Sequence, residues 1–205
     1  GIDLTKQAAY SDKTPYELWQ AEEGTPIYTG LGIDDLRTVE LGAWRRKGAA
    51  GAFINMLGAG RSCDAYVCEI AAQSQTLHER YLFEELIYVV KGRGATTVWQ
   101  DGGRKQTFEW HEGSLFSPPL NTWRQHFNAQ GNQPARFVAL TDAPVIINRF
   151  RNLDFVLNNR FVFSDRFSGE DGYFSGKGQE VTSHRTWDSN FIADIPGFRL
   201  LEHSA

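Results

Sequence analysis

The sequence is short of the residues that announce several common chemistries. Only two cysteines occur, Cys63 and Cys68. Their odd spacing in a strand-like run puts them on opposite faces, so they are not expected to pair. They read as two small apolar residues of a reduced, cytoplasmic protein. Basic residues do not outnumber acidic ones: 21 Lys and Arg stand against 25 Asp and Glu, a net charge of −4. That balance excludes a general nucleic-acid binder, which needs a basic face for phosphates. The short basic run Arg45-Arg46-Lys47 reads as a solvated turn. No apolar stretch is long enough to span a bilayer, and no signal peptide is visible. Walker loop, GxGxxG, CxxC pair and Ser-His-Asp order are all missing, so nucleotide, dinucleotide and thiol-redox readings have no support. The chain also lacks a methionine ahead of Gly1, which suggests an upstream piece has been removed.

What is present is enough for a real core: 205 residues, 41% hydrophobic and 13% aromatic. Twenty glycines between short apolar runs imply many turns and hence many strands. Residues 1–35 read as an irregular arm with one short helix from Thr14 to Glu22. Thr14 would be its N-cap and Pro15 its first helical residue. From Leu36 the texture changes to strand-like runs, LRTVELGAW, GAFINML and DAYVCEIA, each bounded by Gly or polar residues. The densest strand region runs from Leu86 to Leu140. Within it Asp101-Gly102-Gly103 separates two alternating segments and predicts a hairpin, because glycine supplies the positive φ of a tight turn. Residues 36–145 are therefore expected to form an all-β sandwich or barrel. Residues 146–205 form a C-terminal extension with too many aromatics to be disordered and no clean period. It is expected to pack on the barrel, on a partner subunit or on a second domain.

Two segments carry a family resemblance: HERYLFEELIYVVKG (His78 to Gly92) and GSLFSPPLNTWRQHFN (Gly113 to Asn128). They resemble the paired motifs of the cupin family, G-x5-H-x-H-x(3,4)-E-x6-G and G-x5-P-x-G-x2-H-x3-N. Glu85 and Gly92 have the spacing of the first; Gly113, Pro119 and Asn128 have that of the second. The resemblance implies a jelly-roll-like cupin β-barrel over 36–145, often dimeric. Its interior would bind a small molecule, and in many members holds one divalent transition metal such as Fe, Mn, Ni or Zn. DLRTVELGAW, FEWHEGSLFSPPLN and FVFSDRF resemble, further, the N-terminal half of a two-cupin protein (a bicupin), in which one barrel often loses its ligands.

The ligand positions depart from the family pattern. A three-residue gap before Glu85 places Glu79 and Tyr81 at the two histidine positions; a four-residue gap places His78 and Arg80 there. In the second motif Arg124 takes the histidine position and Asn121 the glycine position. His126, two residues on, shares the face of Arg124 if the segment is a strand. A rescued metal site would use His78, Glu85 and His126, with Glu79 as a fourth ligand. Against it, Arg124 adds a permanent positive charge.

The alternative is an Arg124–Glu85 ion pair where the metal would sit. Glu85, His126 and Tyr81 would then be the groups for metal-free acid/base catalysis, with Glu79 a second candidate base. Arg124, Glu79 and Trp123 would hold a polar, carboxylate-bearing substrate. An enzyme of this kind could be an oxygenase, isomerase, lyase or dehydratase. The competing expectation is a non-catalytic barrel that binds a ligand or supports assembly. Catalysis predicts an open cavity among His126, Glu85 and Tyr81, whereas a structural barrel predicts that Phe83, Phe116 and Trp123 plug it. His111, in the polar turn EWHEG, is expected to be exposed, and His184 and His203 have no ligand-like neighbours. Trp99, Trp110 and Trp123 read as packing residues rather than a stacking platform.

Overall fold

Short alternating runs separated by glycine become short antiparallel strands in the computed structural model, which describes residues 12–59, 61–182 and 186–198. His184 and His203 lie outside the described residues. The larger sheet contains β1 (Ile27–Gly30), β2 (Gly42–Trp44), β3 (Ala49–Met56), β4 (Asp64–Ile70), β5 (Glu85–Lys91), β8 (Leu115–Phe116), β10 (Ala135–Thr141) and β13 (Phe191–Ile192). Its order is β1-β3-β4-β10-β5-β8-β13, with β2 also on β3. All pairings are antiparallel except β1 with β3. The smaller sheet is β7 (Gln106–His111), β6 (Arg93–Trp99) and β9 (Trp123–Asn128), in that order. Asp101-Gly102-Gly103 lies between β6 and β7, with Gly102 at φ +72°.

One core fills the space between the sheets. Phe53, Tyr66, Ile87, Phe116 and Phe137 from the larger sheet meet Val98, Phe108 and Trp110 from the smaller. A second, smaller cluster (Ile54, Val67, Val90, Val138) lies under Ile33, Leu36 and Leu41 on the other face of the larger sheet. Burial on both faces explains why DAYVCEI reads as a continuous apolar run rather than an alternating one. The fold is thus an all-β barrel of two packed sheets, the architecture that the motif frame implied.

The frame residues hold the backbone. Gly92 and Gly113 sit at φ +87° and +89°, where a Cβ is strained. Asn121, in the motif's glycine position, has φ +56°, and Asn is among the few non-glycine residues that tolerate it. Asn128 donates through Nδ2 to the carbonyls of Ile70, Ala71 and Gln133, tying the end of β4 and the segment before β10 to the end of β9.

The flanking segments are more ordered than their sequences suggest. Helix α1 (Pro15–Glu23) is capped by Thr14 and Glu17 and buries Tyr16, Trp19 and Gln20. Strand β1, only four residues long, lies inside the stretch read as an irregular arm; its parallel pairing with β3 makes it a strand. Helices α2 (Ala143–Phe150) and α3 (Leu153–Leu157) were not foreseen. Pro144 at the start of α2 and the burial of Ile147 and Val156 in the core account for them. Further on, Phe167, Phe174 and Phe191 are buried in the same main core. The remaining strands, β11 (Gln179–Thr182) and β12 (Thr186–Asp188), pair only with each other.

Candidate functional site

The period of two in β-structure decides which motif residues enter the barrel. Glu79 forms an isolated antiparallel bridge to Arg124, with Glu79 N–H donating to Arg124 O at 3.1 Å and Arg124 N–H to Glu79 O at 2.9 Å. That segment therefore runs as a strand beside β9, and its side chains alternate. Glu79 and Tyr81 are buried in the interior, as are Arg124 and His126 of β9. His78 is exposed and packs on Trp123 and Trp99 outside, with ring centroids 5.2 and 6.1 Å away. Arg80 lies over the Trp123 ring, 4.5 Å from its centroid. The three-residue gap is the one the structure adopts.

Inside, eight side chains form one unbroken chain of polar contacts. Trp44 Nε1 and Arg46 Nε donate to the two oxygens of Glu23, the latter at 2.8 Å. Arg46 Nη1 reaches Glu79 Oε2 at 2.7 Å, and Lys47 Nζ takes Glu79 Oε1. Lys47 also donates to the Tyr66 hydroxyl at 3.2 Å, and Tyr66 donates to Glu85 Oε1. Arg124 Nη1 closes the chain on Glu85 Oε2 at 3.1 Å, its guanidinium 4.2 Å from the centre of the Tyr81 ring. Three cations (Arg46, Lys47, Arg124) face three carboxylates (Glu23, Glu79, Glu85), so the network is neutral. Burial opposes the charged form of Glu79, but Lys47 and then Arg46 overcome it and draw the carboxyl down to about 2. Burial foremost, with Glu85 adding to it, pushes the Tyr66 phenol well above its ordinary value.

The interior is filled. Tyr16 and Trp19 of α1 close one side of the residual void between Lys47, Tyr81 and Glu85, which has a volume of about 10 Å³. That is room for one water at most. Phe83 and Phe116 are buried in the core, and Tyr81 stacks on Phe83 at 3.8 Å. Trp123 is not one of the plugging residues. It alternates with Arg124 on β9 and faces outward, so it cannot share an interior ligand with Arg124. His126 is held apart from the ion network, between Phe116 and Phe137. Its Nδ1 meets Thr96 Oγ1 at 2.8 Å, and the same hydroxyl accepts from Trp110 Nε1 at 2.9 Å. Burial, then Lys47, lowers its pKa to about 3, so it is a neutral imidazole. Among the described residues five buried side-chain polar atoms lack a hydrogen-bond partner: His126 Nε2, Tyr81 Oη and Trp19 Nε1, and also Arg80 Nε and Asn121 Oδ1.

A divalent metal does not fit these residues. The expected triad of His78, Glu85 and His126 does not assemble, because His78 lies on the opposite face of its strand. Both Glu85 oxygens are taken, one of them by a guanidinium. Among the described residues no three His, Cys, Asp or Glu side chains are placed to hold a metal ion. The Arg45-Arg46-Lys47 run corrects a second expectation. Only Arg45 behaves as a solvated turn residue; Arg46 is half-buried and Lys47 is 1% exposed in the barrel. Tyr66 and Glu23 were also missed as parts of the site. Tyr66 hides in a run apolar on both faces, and no local signal marks Glu23 or Lys47 as inward-facing. The cysteines are free, and burial pushes the Cys68 thiol up to about 12, which makes it inert. His111 is exposed at the end of β7. No helix among the described residues is long and apolar enough to cross a membrane.

No protein-family model and no curated protein matches this sequence. Solved structures similar to it include vicilin from tomato, Solanum lycopersicum (17% identity, TM-score 0.43, 48% of this chain and 29% of that one). Vicilin from hazelnut, Corylus avellana, is similar at 14% identity and TM-score 0.44, over 53% of this chain and 32% of that one. The formate complex of Lactobacillus farciminis oxalate decarboxylase is similar at 16% and 0.45, over 55% and 35%. Vicilins and oxalate decarboxylases are both cupin superfamily members. The chain spans about a third of their length, and the likeness concerns fold alone.

Proposed function

We propose that this chain is a non-catalytic cupin-type barrel, with its interior given over to stability and its surfaces to binding or assembly. The observation that carries this reading is the Arg124–Glu85 pair at the position of the family's metal, in an interior with room for one water. Six charges that cancel leave no net charge to draw in a charged substrate, and every carboxylate is already engaged. Assembly with a second copy or a second barrel belongs to the same proposal, and light scattering on the purified protein measures it. Elemental analysis tests the core of the reading. Wild type should carry no stoichiometric transition metal, whereas Tyr81→His combined with Arg124→His should gain one. Stoichiometric metal in wild type that is lost in His126→Ala would overturn the proposal.

A second reading keeps acid/base chemistry on Glu85, His126 and Tyr81, with Arg124 and Glu79 beside the substrate. Its support is three of the five buried polar atoms without partners among the described residues, Tyr81 Oη, His126 Nε2 and Trp19 Nε1, each an unused hydrogen-bonding capacity. It requires entry past Tyr16 and Trp19. Under it, malonate should raise the melting temperature of Trp19→Ala, and Arg124→Met in that background should abolish the effect. No response to malonate would leave the barrel closed to carboxylates.

A further inference from the structure

Outside the barrel, α1 and α2 flank a cleft of about 400 Å³ at the end of β3 and the start of β4. Such a volume suits a small organic molecule. Asp64 lines it and is 6% exposed, although it is a carboxylate. Among the described residues its side chain has one hydrogen bond, from Met56 N–H to Oδ1 at 3.0 Å. Among the described residues no cation is paired with it. Arg61, the one guanidinium among the described residues that line the cleft, lies 3.6 Å from Glu17 instead. The described lining thus holds two carboxylates against one guanidinium, one negative charge in excess. A buried carboxylate without a counter-charge is costly, and a partner that brings a cation relieves that cost. Burial accordingly raises the pKa of Asp64. In the remaining lining the Tyr16 ring, Met56, Leu57 and Pro144 offer carbon to a ligand's body, beside two threonines and two asparagines. A metal ion is the wrong occupant, since one carboxylate does not make a coordination sphere.

We propose that this cleft binds a small organic cation, a primary amine with an apolar body, whose ammonium group pairs with Asp64. The site is separate from the barrel interior and independent of whether the interior is catalytic.

Tyramine is a suitable probe, and 4-ethylphenol, with the same ring and no charge, is its control. Isothermal titration of the full chain should show saturable tyramine binding at millimolar concentration and none for 4-ethylphenol. Asp64→Asn keeps the acceptor for Met56 N–H, so the fold should persist while tyramine affinity falls at least about tenfold. Arg61 is exposed on the rim, and Arg61→Gln frees Glu17 to add its charge. Binding should then tighten roughly twofold to fivefold. The proposal fails if tyramine does not bind wild type. It also fails if 4-ethylphenol binds as well, if Asp64→Asn leaves tyramine affinity within twofold, or if Arg61→Gln gives no tightening.

Discussion

Strand β9 carries the same chemical arrangement on both of its faces, in two different media. On the inner face Arg124 lies 4.2 Å from the Tyr81 ring centre and 3.1 Å from Glu85, and neither charged side chain is more than 1% exposed. On the outer face Arg80 lies 4.5 Å from the Trp123 ring centre and 2.7 Å from Asp101, whose side chain is 55% exposed. The outer contact is the shorter, yet it should matter less. Water already solvates Asp101, although Arg80 itself is only 8% exposed, whereas Glu85 has no solvent to fall back on. The distance between two charges says little about their worth until the medium is known.

The largest effect should come from cutting the inner pair. Arg124→Met leaves Glu85 buried without a cation and should cost about 3–5 kcal/mol in urea denaturation. Adding Glu85→Gln should return most of that loss, because the charge is removed along with its partner. A single substitution costing less than about 1 kcal/mol would show that the interior is as wet as the surface, and the contrast between the faces would collapse.

Acid attacks the same network at Glu79. Its carboxyl is held at about 2, below the ordinary 4.5, by Lys47 and Arg46 against the opposing effect of burial. A carboxylate with a depressed pKa contributes stability that is complete above its unfolded value and lost as pH falls through the folded one. Stability should therefore fall between about pH 4.5 and pH 2, by on the order of 3 kcal/mol from this group. In Glu79→Gln that part of the pH dependence should vanish. A variant retaining the full acid slope would assign the loss to other carboxylates.

How much of this was legible in the sequence depends on what each residue's signal was local to. The barrel frame was legible because Gly92, Gly113 and Asn121 are required by backbone angles, and Asp101-Gly102-Gly103 by a turn. The exchange of histidine for Arg124 was legible too, and so was its consequence, a cation beside Glu85. The register at 78–81 was not. Two gap lengths were open, and only the bridge between Glu79 and Arg124 selects the face. A slip of one residue would exchange every inward side chain for an outward one. Lys47 was invisible for a related reason. A lysine in a turn after two arginines has the composition of solvent-facing chain, and its burial depends on Glu79 and Tyr66, distant in sequence. The helices after Pro144 escaped because tertiary packing of Ile147 and Val156, not a long periodic run, supports them.

A smaller effect is expected at Thr96, which belongs to the inner face but carries no charge. Its hydroxyl is the shared partner of His126 Nδ1 and Trp110 Nε1. Thr96→Val keeps the shape and strands both ring nitrogens, at a cost of about 1–3 kcal/mol in the same denaturation assay. A neutral outcome would mean that water replaces the hydroxyl, and that the space around His126 is more open than its packing implies.

The smallest effect should be at Asp101, and it completes the contrast across β9. Asp101→Asn removes the charge facing Arg80 but leaves an acceptor for Trp123 Nε1, 2.7 Å away. Arg80 keeps its place over the Trp123 ring, and water takes up what the carboxylate released. Stability should change by no more than about 1 kcal/mol. That small difference should also shrink in high salt, since the Debye length falls to about 3 Å at 1 M. The cost of Arg124→Met should be almost insensitive to salt, because counter-ions do not enter a space that admits one water. Comparable salt sensitivity in the two variants would place both pairs in the same medium, and the inner face of β9 would then be reachable from solvent.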